Sequence, residues 1–190
     1  IKIRVPNVTV IATDEFDKFM NENNLWEIAL KENDNKKLVK IFLKGNLSKK
    51  LINSITYLIK DISYPLAIRS SSLSEDSQYQ SLSGMYSTFM LPNSSESLNE
   101  RVEQICEAIK RIYASTFFVA SRSLIDKISQ RMEEEKMAII IMEMIGKVHE
   151  NRFYPTMSGV AQSYNYYPSS HSKRKDGVSY LALGLGKTVV

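Results

Sequence analysis

Cysteine is almost absent from this 190-residue chain, with Cys106 standing alone. A lone thiol excludes an intrachain disulfide framework and fits a reducing cytoplasm. Histidine is nearly as scarce: His149 and His171 have no partner at ligand spacing. Each reads as a surface residue and not as a metal ligand. No apolar run approaches the roughly 18 residues of a membrane span, and no signal peptide opens the chain. Neither sign of charge dominates. The 25 basic and 21 acidic residues leave +4, too small and dispersed an excess to argue for nucleic acid. It is compatible with a polyphosphate ligand. What remains is ordinary for a globular protein, 43% hydrophobic and 24% charged, and long enough to bury a real core. The chain opens at Ile1 without Met and stops in Thr188-Val189-Val190. It reads as an excised piece of a longer polypeptide.

Against this plain background one stretch stands out, Pro65 to Pro92. An apolar run, Leu66-Ala67-Ile68, delivers Arg69 into three hydroxyls, Ser70, Ser71 and Ser72. An acidic pair follows, Glu75 and Asp76, then the small-residue loop Ser81-Leu82-Ser83-Gly84-Met85 and an exit run Thr88-Phe89-Met90-Leu91. A buried strand built only for packing stays apolar, because an unpaired polar group costs several kcal/mol out of water. A guanidinium fork suits phosphate oxygens, and hydroxyls with a Gly-loosened backbone add donors. The local reading is an anion cradle for nucleotide phosphates. Glu75 and Asp76 read equally well as a functional pair or as a solvated loop.

Along the rest of the chain, Asn7–Ala12 reads as a strand. Thr13 then caps a helix with the stripe Phe16, Phe19, Met20. Residues 24–62 look helical, with Ser48 as an N-cap before Leu51, Ile55, Leu58, Ile59 and Ile62, a core-facing stripe. Trp26 joins the core. Helices follow over Ser95–Tyr113 and Phe117–Met132, and Cys106 on the first of them is structural. Strands are expected at Met137–Met142, from Ser158 and from Val178, with Asp176-Gly177 as a turn. Strands and helices in two sets predict an α+β fold. Gly184-Leu185-Gly186-Lys187-Thr188 is not a P-loop, since Leu181 occupies the position of its first glycine.

Ile68-Arg69-Ser70-Ser71-Ser72-Leu73-Ser74-Glu75-Asp76, followed by Ser81-Leu82-Ser83-Gly84-Met85-Tyr86-Ser87-Thr88-Phe89, resembles the V-R-S-S-A-x-x-E-D and S-F-A-G-x-x-x-T-F segments of the ATP-binding domain of phosphoenolpyruvate synthase and pyruvate phosphate dikinase. Val5 to Thr13 is similar to its V-P-x-G-F-x-V-T-T, with Asn7-Val8-Thr9 in place of the Pro-Gly-Phe turn. Ile112 to Ser123, Ala138 to Ile145, Ser158-Gly159-Val160 and Gly184-Leu185-Gly186 follow further segments, so the resemblance spans nearly the whole chain.

This resemblance implies a two-lobed ATP-grasp-like domain, with mixed or antiparallel sheets flanked by helices around a cleft. On that reading residues 1–190 are a single domain fragment. Residues 1–92 form a first lobe with the phosphate loop, 93–135 a helical segment and 136–190 the strands of a second lobe. It implies ATP with Mg²⁺ as cofactors, and a phosphohistidine domain and an acceptor domain elsewhere in the polypeptide as partners. No nucleic acid and no membrane are expected. Arg69 would bind phosphate oxygens as the catalytic cation. Ser70, Ser71, Ser72, Ser83, Gly84, Met85 and Thr88 would line the phosphates, and Met142, Glu143, Met144 and Ile145 would border the adenine. Arg122 either reaches the phosphates or is a solvated helical arginine. The metal ligands stay open. Asn165 and Lys187 replace family acids and Ser179 stands near a third, so a metal would fall to Glu143, Glu75 or Asp76, or to other parts of the protein. The alternative function is a non-catalytic nucleotide-binding regulatory module that has lost the metal-binding acids.

Overall fold

The computed structural model describes residues 3–72, 86–127 and 134–186. It divides into two compact units, residues 1–144 and 145–190.

The first unit is a four-stranded antiparallel sheet with a helical layer. Its strands are β1 (Val8–Ile11), β2 (Leu66–Ser72), β3 (Thr88–Leu91) and β4 (Met137–Glu143), in the order β1-β4-β2-β3. The helices are α1 (Thr13–Glu22), α2 (Trp26–Lys31), α3 (Asn35–Lys44), α4 (Lys49–Ile59), α5 (Leu98–Ser115) and α6 (Val119–Lys127). The α+β expectation holds. The helical stretch expected over 24–62, with its cap at Ser48, is three helices. Asp34 stops the second segment from running on: its carboxylate accepts from Lys36 N–H at 2.8 Å and Lys37 N–H at 3.2 Å, starting a new helix. Ser48 caps α4 as expected, accepting from Leu51 N–H at 3.1 Å. Thr13 does not cap α1. It is the first helical residue, Ala12 precedes it extended, and no side chain bonds the first turn. Met137–Glu143, grouped above with the later strands, pairs with β1 and β2 inside this unit.

Period-two alternation sorts the sheet's side chains. Leu66, Ile68, Ile139 and Ile141 are at most 3% exposed and face the helices. There they meet an aromatic cluster in which Phe16 lies edge-on to Tyr113 at 5.0 Å and to Trp26 at 6.0 Å, and stacks on Phe117 at 6.2 Å.

Long cations tie the helical layer together. Arg101 donates to Ile62 O at 2.6 Å and Ile59 O at 3.1 Å, at the end of α4. Lys110 donates to Leu43 O at 2.8 Å at the end of α3. Arg122 donates to Leu30 O and, at 2.7 Å, to Glu32 O at the end of α2. Each neutralises carbonyls that a helix C-terminus leaves without partners.

The second unit holds two hairpins, β5 (Lys147–His149) with β6 (Arg152–Tyr154) and β7 (Met157–Gln162) with β8 (Val178–Leu183). The first hairpin has no counterpart in the sequence reading. The strand expected to run from Val178 to Lys187 ends at Leu183, and Gly184 turns away with φ +74°. Gly177, at φ +71°, takes a conformation that favours glycine, and a Cβ there would meet Gln162 O at 2.5 Å.

Candidate functional site

Strand register assembles one face of the first unit's sheet into rows. Met90, Ala67, Met142 and Val8 lie side by side across β3, β2, β4 and β1. Two residues along, about 6.6 Å away at strand spacing, Thr88, Arg69, Ile140 and Val10 form the next row. Ser71 and Ala138 begin a third. Val8 is 50% exposed, Val10 59% and Met90 61%, and Arg69 is exposed. This face is therefore an apolar floor with one cation set into it. Among the described residues no carboxylate pairs with Arg69.

The predicted residues divide accordingly. Arg69, Ser71, Thr88 and Met142 share the open face. Ser70 and Ser72 are buried on the helix side with Ile68, 6% and 8% exposed, and neither is without a partner. Glu143 lies on that side too. Its carboxylate accepts from the Arg4 guanidinium and, at 3.1 Å, from Asn7 N–H. The backbone N–H groups of Glu143 and Met144 donate to Asn7 O and Pro65 O, each at 2.9 Å. Ile145, half exposed, opens the second unit. Ser83, Gly84 and Met85 lie outside the described residues, as do Glu75, Asp76 and Lys187. Arg122 is neither a phosphate ligand here nor a solvated cation, because its guanidinium is engaged at the end of α2 and with Asn33 Oδ1 at 2.8 Å.

Of the residues named for a metal, only Glu143 is described, and its carboxylate is held by a cation on the face away from Arg69. Among the described residues no three metal-ligating side chains come together. Among the described residues the donor set does not fit a protein-held Mg²⁺. Asn165, at a family acid's position, instead builds a turn. Its Oδ1 accepts from Tyr167 N–H at 3.0 Å, and its own N–H donates to Arg174 O at 2.8 Å. A hollow of about 620 Å³ in the first unit lies elsewhere, between the edge strand β1, the start of α1 and α4. Nothing in the sequence pattern marked it, since its lining comes from three separate segments.

Charge is also less dispersed than the totals suggest. Residues 145–190 carry six basic and two acidic side chains, whereas 1–144 carry nineteen of each. The whole excess belongs to the second unit. Among the described residues no helix is long and apolar enough to cross a membrane.

An apolar floor beside a guanidinium that has no carboxylate partner among the described residues offers the two elements that a base and its phosphates require, and so fits the class of nucleotide-binding domains. The chain belongs to the family of the pyruvate phosphate dikinase AMP/ATP-binding domain, whose model matches residues 1–190. It is also similar to an uncharacterized phosphotransferase of Bacillus subtilis (strain 168), YvkC, at 29% identity over 187 residues, 98% of this chain. The chain spans 20% of that relative's length.

Proposed function

We propose that this chain is the ATP-binding part of a larger phosphotransferase of the phosphoenolpyruvate synthase and pyruvate phosphate dikinase kind. ATP lies on the open face of the sheet in an ATP-grasp manner. Arg69 binds phosphate oxygens, with Ser71 and Thr88 beside it. The base rests on the Ala67–Met142 row against the Met142–Met144 backbone, where thioether side chains offer a polarisable, adaptable surface. Ser70 and Ser72, with Ser83, Gly84 and Met85, are the further proposed phosphate-binding residues. Phosphoryl transfer depends chiefly on positioning and charge neutralisation, and Arg69 supplies the second of these from this chain. Mg²⁺ would be held by the nucleotide's own phosphates, where it would add to that neutralisation. A histidine in another domain accepts the phosphoryl group and passes it to pyruvate or a related acceptor.

The observation that carries this reading is an exposed arginine on a sheet face, without a carboxylate partner among the described residues. By contrast, Arg101, Lys110 and Arg122 are each engaged by carbonyls at helix ends. Arg69→Met tests it. In the intact polypeptide ATP raises the unfolding temperature, by an amount equivalent to about 2.7 kcal/mol at a hundred times Kd. Removing charge-assisted bonds worth roughly 1.5–3 kcal/mol weakens ATP binding by about ten- to a hundredfold. Unchanged affinity in Arg69→Met would overturn the assignment. Labelled ATP then separates a transferase from a binding module without catalysis: label appears on protein in the first case and not in the second.

A further inference from the structure

Glu143 ends β4 only 7% exposed, and a carboxylate so buried needs compensation. It receives it from two groups 136 and 139 residues away in sequence, the Asn7 N–H and the Arg4 guanidinium. The backbone completes the tie, since Glu143 N–H donates to Asn7 O at 2.9 Å. One residue on, Met144 N–H donates to Pro65 O at 2.9 Å. Asn7 Nδ2 also reaches the neighbouring Tyr64 hydroxyl at 3.4 Å. Segment 4–7, the 64–65 turn and the last residues of β4 are thus knotted together at the point where the first compact unit ends.

We infer that Arg4 and Glu143 form a clamp on the end of β4, and that Glu143 is a positioning residue for the nucleotide base, not a metal ligand. The part concerning the base rests on the nucleotide reading above. Loss of Arg4 leaves a buried carboxylate unpaired, and β4 relieves it by fraying from Glu143 back to Met142. Met142 is the residue that β4 contributes to the row holding Ala67. Arg69 sits a row further in, paired on both sides by Thr88 and Ile140, and is unaffected. The clamp therefore acts on the base and not on the phosphates. That split distinguishes positioning from a general loss of structure.

The test compares ATP with inorganic tripolyphosphate on the intact polypeptide. Arg4→Met is expected to weaken ATP about tenfold and to leave tripolyphosphate within twofold. Arg4→Lys, which keeps a cation, recovers most of the ATP affinity. Glu143→Gln keeps the acceptor for Asn7 and loses only the charge, so it falls between Arg4→Met and the parent. Equal weakening of both ligands, or of neither, overturns the positioning role. If the parent protein binds neither ligand, the nucleotide reading fails and amide exchange judges the clamp alone. Faster exchange at Glu143 and Met144 in Arg4→Met upholds the clamp, and unchanged exchange overturns it.

Discussion

The two compact units solve the burial problem in opposite ways. The first has equal numbers of acids and bases and contains every buried apolar side chain among the described residues, from Ile11 to Ile141. The second has a net charge of +4, and its most buried residue among those described is the polar Asn165 at 9%. Its hairpins instead display Val148, Leu181 and Leu183 at 66–85% exposure. Two isolated hairpins without a covered face are marginal by themselves. The first unit therefore holds its shape by packing, whereas the second depends on turn chemistry at Asn165 and Gly177. Side-chain truncation should consequently be felt in one unit and hardly at all in the other.

The largest expected effect comes from the first unit's centre. Phe16 is fully buried and touches Trp26, Tyr113 and Phe117. Phe16→Ala should cost about 3–5 kcal/mol through lost transfer energy and the cavity left behind. Leu183→Ser, at an 85% exposed position, should change stability by less than about 0.5 kcal/mol. Urea unfolding of the intact polypeptide checks both. A loss above 2 kcal/mol for Leu183→Ser would break the contrast between the units.

The next effect separates cations inside the first unit. Arg101, through its bonds to the end of α4, holds the helical layer, whereas Arg69 holds nothing among the described residues. Arg101→Met should lower stability by roughly 1.5–3 kcal/mol, the range for bonds to charged groups, with ATP affinity intact. Arg69→Met should do the reverse. Paired thermal melts with and without ATP read the two quantities separately. Coupled losses in both variants would mean that the helical layer and the open face are not independent.

The sequence carried the parts of this fold that depend on local periodicity. The helical stripe Leu51, Ile55 and Ile59, the Ser48 cap and strands β1, β2 and β4 are each set within a dozen residues. The site was legible only in outline. The run Arg69-Ser70-Ser71-Ser72 reads as one polar cradle, yet a strand sends neighbours to opposite faces. Applying that alternation would have parted Ser70 and Ser72 from Arg69 and Ser71 without a structure. The Arg4–Glu143 pair had no such signal, because only the β1–β4 pairing brings residues 139 apart into contact. Arg122 misled for a related reason. A helical arginine looks the same in sequence whether it meets water, phosphate or the carbonyls of another helix.

The smallest effect at neutral pH probes burial itself. Tyr113 is fully buried in the first unit's aromatic cluster, and its hydroxyl has no hydrogen-bond partner among the described residues. Desolvation, with Glu15 and Asp14 adding repulsion, pushes its pKa well above the ordinary tyrosine value. The raised folded pKa sets the sign. Its contribution to stability is complete below the unfolded value of about 10 and is lost as pH climbs from there towards the folded one. Above pH 10 the unfolded chain releases the proton first, so unfolding becomes easier. Tyr113→Phe removes both the orphan hydroxyl and this titration. At pH 7 it should be close to neutral, and at pH 10–11 it should resist unfolding better than the parent. Cys106, whose thiol is also pushed up by burial, leaves a weaker alkaline loss of the same sign in the variant. Parallel urea curves at pH 7 and pH 10.5 decide it. If parent and variant lose equal stability between those pH values, the alkaline weakness does not come from the core of the first unit.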